Sequence, residues 1–180
     1  MPVSHAVRRS RSNPLSPWVW FAAAGLLALP AIGMWLDRPG LHWTPLDFIV
    51  MGLLLATACG LYELGARLSR NRAFRAAFGL AALTGFLTIW VNLAVGMLGS
   101  EGNRANLMFA GVLAVAAVGS IVARFRPVAM ARAMALAGLA QLAVVGVAVA
   151  AGGYRPHELA LSACFALPWF VAALLFAKAK

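Results

Sequence analysis

Ala76–Leu98, AAFGLAALTGFLTIWVNLAVGML, runs for 23 residues without a charged side chain. A helix needs about 20 largely apolar residues to cross a bilayer, so this stretch alone predicts a membrane span. The pattern recurs on both sides of it. Trp18–Leu36, Ala105–Ala123, Ala133–Ala151 and Leu159–Ala177 each hold 19 uncharged residues, and Phe48–Ala66 holds 19 with Glu63 as its one charge. No period-2 alternation breaks the series, and an open sheet would leave backbone groups unpaired in lipid. The fold expected is all-α, a polytopic membrane helix bundle with six transmembrane helices. They fall at approximately 18–36, 46–66, 74–98, 105–123, 131–151 and 157–177, after a basic tail over 1–17 and before a short terminus at 178–180.

Composition agrees. The 180 residues are 63% hydrophobic and 11% charged, against ~25% charged in an ordinary soluble domain. Fifteen Lys and Arg against five Asp and Glu give a net charge of +10. Such an excess can mark a nucleic-acid surface, but here its placement follows the membrane. Arg8, Arg9 and Arg11, Arg67, Arg70, Arg72 and Arg75, Arg124, Arg126 and Arg132, and Lys178 and Lys180 all fall on one side of the spans. The opposite loops hold Arg38, Arg104 and Arg155 together with Asp37, Asp47, Glu101 and Glu158. The positive-inside rule then puts both termini in the cytoplasm, and no nucleic-acid partner is expected. The 13 arginines to 2 lysines and the abundance of alanine suggest a GC-rich bacterial genome, hence the bacterial inner membrane.

Helix boundaries carry recognisable chemistry. Ser16-Pro17 and Thr44-Pro45-Leu46-Asp47 have the form of a cap followed by a first-turn proline, the second with an acid at the capping-box position. Asn71 and Asn103 are candidate caps for the third and fourth helices, and Pro156 opens the sixth. Pro30 and Pro168 lie inside helices and should kink them, freeing the carbonyls of Leu26 and Cys164. Cys59 and Cys164 sit at different depths and are expected to be small buried groups without a disulfide. Tryptophans 18 and 20 mark one bilayer edge and 35 and 43 the other; Trp169, mid-helix, reads as packing.

Charges and amides are so rare in the spans that each is a candidate for function. Gly85, Thr88, Asn92, Gly96 and Gly99 follow helical spacing and should share one face of the third helix, either for close packing or to line a hydrated path. The densest polar stretch, Gly99–Asn106, follows directly. Its Glu101, Asn103 and Asn106 supply oxygens of the type hard cations prefer, and Asp47 could join them at the same membrane surface. Each also has an ordinary use: Asn103 and Asp47 as caps, Glu101 as a partner for Arg104. Gln141, central in the fifth helix, needs a partner or a bound group. Glu63 precedes Arg67 by four residues, the favourable orientation for an ion pair. His42 and His157 follow no metal-binding spacing. No phosphate loop, HExxH, GxSxG or CxxC is present, so no catalytic residue, metal or cofactor is expected, and the chain does not read as an enzyme.

Trp90-Val91-Asn92-Leu93-Ala94-Val95-Gly96, Gly99-Ser100-Glu101, Asn103 and Asn106-Leu107-Met108-Phe109 form a WVNxAVGxxGSExNxANLMF-like stretch. With Ala123-Arg124-Phe125-Arg126-Pro127 and Met130-Ala131-Arg132-Ala133, it resembles a group of uncharacterised bacterial polytopic inner-membrane proteins, over roughly residues 45–150. That resemblance implies the same helical bundle and no particular activity.

The function expected is a small transport or channel-like protein for an ion or small polar solute, with Asn92, Glu101, Asn103, Asn106, Gln141 and Asp47 as candidate binding residues. The alternative is a non-catalytic accessory subunit of a larger membrane complex. Partners expected are the lipid bilayer and either further copies of the chain or the subunits of such a complex.

Overall fold

A computed structural model describes residues 15–179; Arg8, Arg9, Arg11 and the rest of the tail to residue 14, and Lys180, lie outside the described residues. Local signals set most of the helix starts. Thr44 and Asp47 close a reciprocal capping box at the head of α2 (Pro45–Leu68). The Asn71 side-chain oxygen accepts from the amides of Ala73 and Phe74 and starts α3 (Arg72–Ala94). Pro127 and Pro156 open α5 (Pro127–Ala151) and α6 (Pro156–Cys164), where a missing N–H removes no helical bond. Asn103 caps a short 3-10 turn, Arg104–Leu107, that leads into α4 (Met108–Val122). α1 (Ser16–Trp35) lacks a side-chain cap, and its Ser16 hydroxyl instead donates to Glu63.

Two elements depart from the sequence expectation. The third helix stops at Ala94 rather than continuing to Leu98, because Gly96 and Gly99 adopt φ of +76° and +71°. These glycines are turn residues, not small residues on a helix face, and a side chain at either would strain the backbone. The sixth span is two helices, α6 and α7 (Ala166–Lys178), meeting at Phe165. Pro168 cannot donate to the Cys164 carbonyl, and its ring crowds that oxygen. Restarting the helix at Ala166 places Pro168 in a first turn, where neither penalty applies. α1, by contrast, runs unbroken through Pro30.

Six segments are long and apolar enough to span a membrane, α6 and α7 together making the last, and the described residues form no strand. α5 is the centre of the bundle. Its buried Met130, Ala133, Met134, Ala137, Gln141, Val144 and Ala148 recur every three or four residues, so one continuous stripe meets α4 and α7. α7 also packs on α3, α3 on α2, and α2 on α1. Small residues permit the closest crossings: a Cβ on Gly119 would stand 2.8 Å from that of Ala133. Phe74, Phe78, Phe125 and Phe176 interlock at the arginine-rich end, with the Phe74 and Phe176 ring centres 5.1 Å apart and edge-on. α1 stands apart, attached through the small cluster of Ala23, Met51, Leu55 and Cys59. Only 6% of its span is buried, against 39% for α5.

Candidate functional site

The polar stretch after α3 folds back into the bundle at the arginine-poor end. Met97 and Leu98 in this loop are buried, 1% and 0% exposed. Asn106 makes that burial affordable in polar terms. Its Oδ1 accepts from the amides of Met97 (3.2 Å) and Leu98 (2.9 Å), and its Nδ2 donates to the Ser100 carbonyl at 2.8 Å. The Met97 carbonyl accepts from the Ser162 hydroxyl at 3.1 Å, and the Ser162 carbonyl accepts from Gln141 Nε2 at 2.9 Å. One hydrogen-bonded line thus runs from the 3-10 turn through the loop and α6 to the middle of α5. Irregular backbone is tolerated at membrane depth only with such internal partners.

A second polar line climbs α3. The Thr84 hydroxyl donates to the Leu80 carbonyl, Thr88 to Thr84, and Asn92 Nδ2 to Thr88, at 2.7, 2.8 and 2.7 Å. Each is a bond to the preceding turn, which commits both threonine hydroxyl hydrogens and one of the two Asn92 amide hydrogens to α3 itself. Among the described residues three buried side-chain polar atoms have no partner: Asn92 Oδ1, Gln141 Oε1 and Trp169 Nε1.

The six candidate binding residues therefore separate. Asn106 uses both amide atoms in the loop, Asn103 caps the 3-10 turn through its Oδ1 to Ala105 N (3.0 Å), and Asp47 Oδ2 accepts from the Thr44 amide and hydroxyl at 2.7 and 2.8 Å. Glu101 is exposed and makes no ion pair with Arg104. Asn92 and Gln141 alone keep a free buried oxygen. Among the described residues no three His, Cys, Asp or Glu side chains gather around a common point. Sequence reasoning missed Ser162 and Thr84, both polar residues in apolar spans and visible on that ground. It also missed the second and third contacts of Glu63: beside Arg67 Nη2 at 3.3 Å, the carboxylate accepts from Ser16 and from Trp20 Nε1 at 2.6 Å, joining α2 to α1. Cys59 is buried as expected, whereas Cys164, at the outward-turned break of the last span, is exposed; both are free thiols.

A lateral groove of about 380 Å³ lies between α2 and α4, floored by α3 and by Trp169, Met130 and Met134. A second, of about 310 Å³, lies between α1, α2 and α3 and is lined by Pro30, Trp43 and Trp90 among others. Compared with protein-family models, curated proteins and solved structures, the chain matches none.

Proposed function

We propose that this chain is a small transport or channel-like protein of a bacterial inner membrane, both ends in the cytoplasm, acting on an ion or small polar solute. One observation carries the proposal: two amide oxygens, Asn92 Oδ1 and Gln141 Oε1, are enclosed with no donor. A buried acceptor without a partner costs ~1–3 kcal/mol, and a guest bearing N–H or O–H groups removes that cost. The two lie at different depths. Asn92 is two residues from the end of α3, ~3 Å, and Gln141 ten from the end of α5, ~15 Å. The distribution of arginine supports the orientation.

The test is flux in liposomes. Swelling in glycerol and urea, and ammonium entry read by an internal pH dye, are compared for protein-free vesicles, the wild type, Asn92→Leu and Gln141→Met. At least one solute should enter faster through the wild type, and both substitutions should slow it. Wild-type rates equal to those of empty vesicles, or variants as fast as the wild type, overturn the proposal. The second reading, an accessory subunit, draws support from α1, which packs chiefly on α2 and has only 6% of its span buried. Native mass spectrometry from source membranes separates the two: copies of this chain alone favour transport, and unrelated subunits in fixed ratio favour the accessory role.

A further inference from the structure

We propose that the groove between α2 and α4 seats one acyl chain of an anionic phospholipid, whose phosphate is held by arginines at the groove's rim. The proposal is independent of solute passage, since neither Asn92 nor Gln141 lines the groove. The lining side chains are largely apolar. The two hydroxyls in the lining, Thr57 and Ser120, both donate to their own helices, to the carbonyls of Leu53 and Ala116 at 2.7 Å each.

Length separates a lipid chain from a partner helix. The groove follows α2 from Leu54 to Leu64 and α3 from Phe78 to Ile89. Those ten or eleven residues span ~15 Å of helix, about half of a ~30 Å hydrocarbon core. A spanning helix would need the whole depth, whereas an acyl chain from one leaflet needs half.

Charge selects the headgroup. The groove reaches Phe125, which is flanked by the exposed Arg124 and Arg126, and Leu64 lies one turn from Arg67. Glu63 is the one acidic side chain that the sequence places at this end, and it is already engaged by Ser16, Trp20 and Arg67. The local backbone holds this rim in an unusual form. Arg124 and Phe125 take consecutive φ values of +48° and +57°, a conformation that disfavours any residue with a Cβ. The Phe125 ring lies near Phe78, their centres 6.1 Å apart, and both line the groove.

The experiment is native mass spectrometry of the full chain with equal amounts of phosphatidylglycerol and phosphatidylcholine. The wild type should retain one phosphatidylglycerol. Ala82→Phe with Ala117→Phe, which fills the groove, should abolish retention. Arg124→Gln with Arg126→Gln should lower the preference for phosphatidylglycerol by roughly 25-fold, from about fivefold per surface charge. A measurement on the native core covers variants that do not fold. Trp169 lines the floor of the groove at 2% exposure, so phosphatidylglycerol with brominated chains should quench a fluorescence component that Trp169→Phe removes. Equal retention or quenching by the two lipids overturns the proposal, as does a filled groove that still retains phosphatidylglycerol. So does a dimer of the chain that dissociates when the groove is filled, because a second copy is then the occupant.

Discussion

Asn106→Ala should be among the most destabilising single substitutions in the chain, although it removes only a small exposed-loop amide by sequence position. In the structure Asn106 is 9% exposed and makes three hydrogen bonds to the loop. Truncation orphans the amides of Met97 and Leu98, both residues being at most 1% exposed, and removes one of the two donors to the Ser100 carbonyl, which keeps the Asn103 amide at 3.0 Å. Two orphaned donors at ~1–1.5 kcal/mol each, with up to ~1 kcal/mol for the lost donor, give about 3 kcal/mol. Pairwise bonds inside membranes average nearer ~0.6 kcal/mol because the unfolded chain in lipid also finds partners. The larger figure applies here because two donors of a non-helical loop lose their shared acceptor together. The assay is reversible unfolding in mixed micelles, with helix content followed against the mole fraction of SDS. Asn106→Asp keeps both acceptor bonds and loses one donor, so it should fall between the wild type and the alanine variant. An alanine variant within ~0.5 kcal/mol of wild type would show that water replaces Asn106 and that the loop is not sealed by it.

Other perturbations probe different parts of the bundle by the same unfolding assay unless stated. Gly96→Ala should cost about 3 kcal/mol, since a Cβ there meets the Ser100 carbonyl carbon and oxygen at 2.5 Å with φ at +76°. Gly119→Leu should cost ~1–3 kcal/mol by forcing α4 from Ala133 on α5, whereas Gly111→Leu, with nothing within 4 Å of its Cβ position, should be nearly neutral. Ser162→Ala removes the bond to the Met97 carbonyl and should cost ~1 kcal/mol. Glu63→Leu removes both bonds to α1, and hydrogen exchange should speed up severalfold in α1 while α5 and α7 keep their protection; equal loss in all three would mean that α1 is not a separate unit.

The spans were legible because lipid imposes one strong rule, an apolar run of sufficient length, and every run in this sequence satisfies it. Caps were legible for the same kind of reason: Thr44 with Asp47, and Asn71 and Asn103, act within three residues of their own position. What escaped depends on contacts between distant parts of the chain. Glycines 96 and 99 fit the face of a helix by spacing alone, and only their backbone conformation shows that the helix has ended. The oxygens of Glu101, Asn103 and Asn106 resembled a ligand set because residue type does not reveal which atoms the backbone has already claimed. Trp20 resembled a membrane-edge anchor, and its bond to Glu63, 43 residues away, carries no local signal. Both the aromatic seal at the arginine-rich end and the lateral groove require the order of helices in the membrane plane, which short loops and alanine-rich faces leave open.

Pro168 and Gln141 show how one local rule propagates to the middle of the bundle. The proline ends α6 at Cys164, and the carbonyls of a helix's last turn lose their regular partners. Ser162 lies in that turn. Its carbonyl is taken by Gln141 Nε2, which reaches across from α5. A hydroxyl or an ammonium group could have donated the same bond, but an amide brings an oxygen with it. Once the nitrogen is fixed on Ser162, the orientation of that oxygen is fixed too, and it faces no donor. Ser162 in turn holds the Met97 carbonyl, so the break in the last span is tied to the loop that closes the arginine-poor end. A guest that donates to Gln141 Oε1 would therefore act at a junction shared by α5, the α6–α7 break and the closing loop, where a single new hydrogen bond can bear on all three.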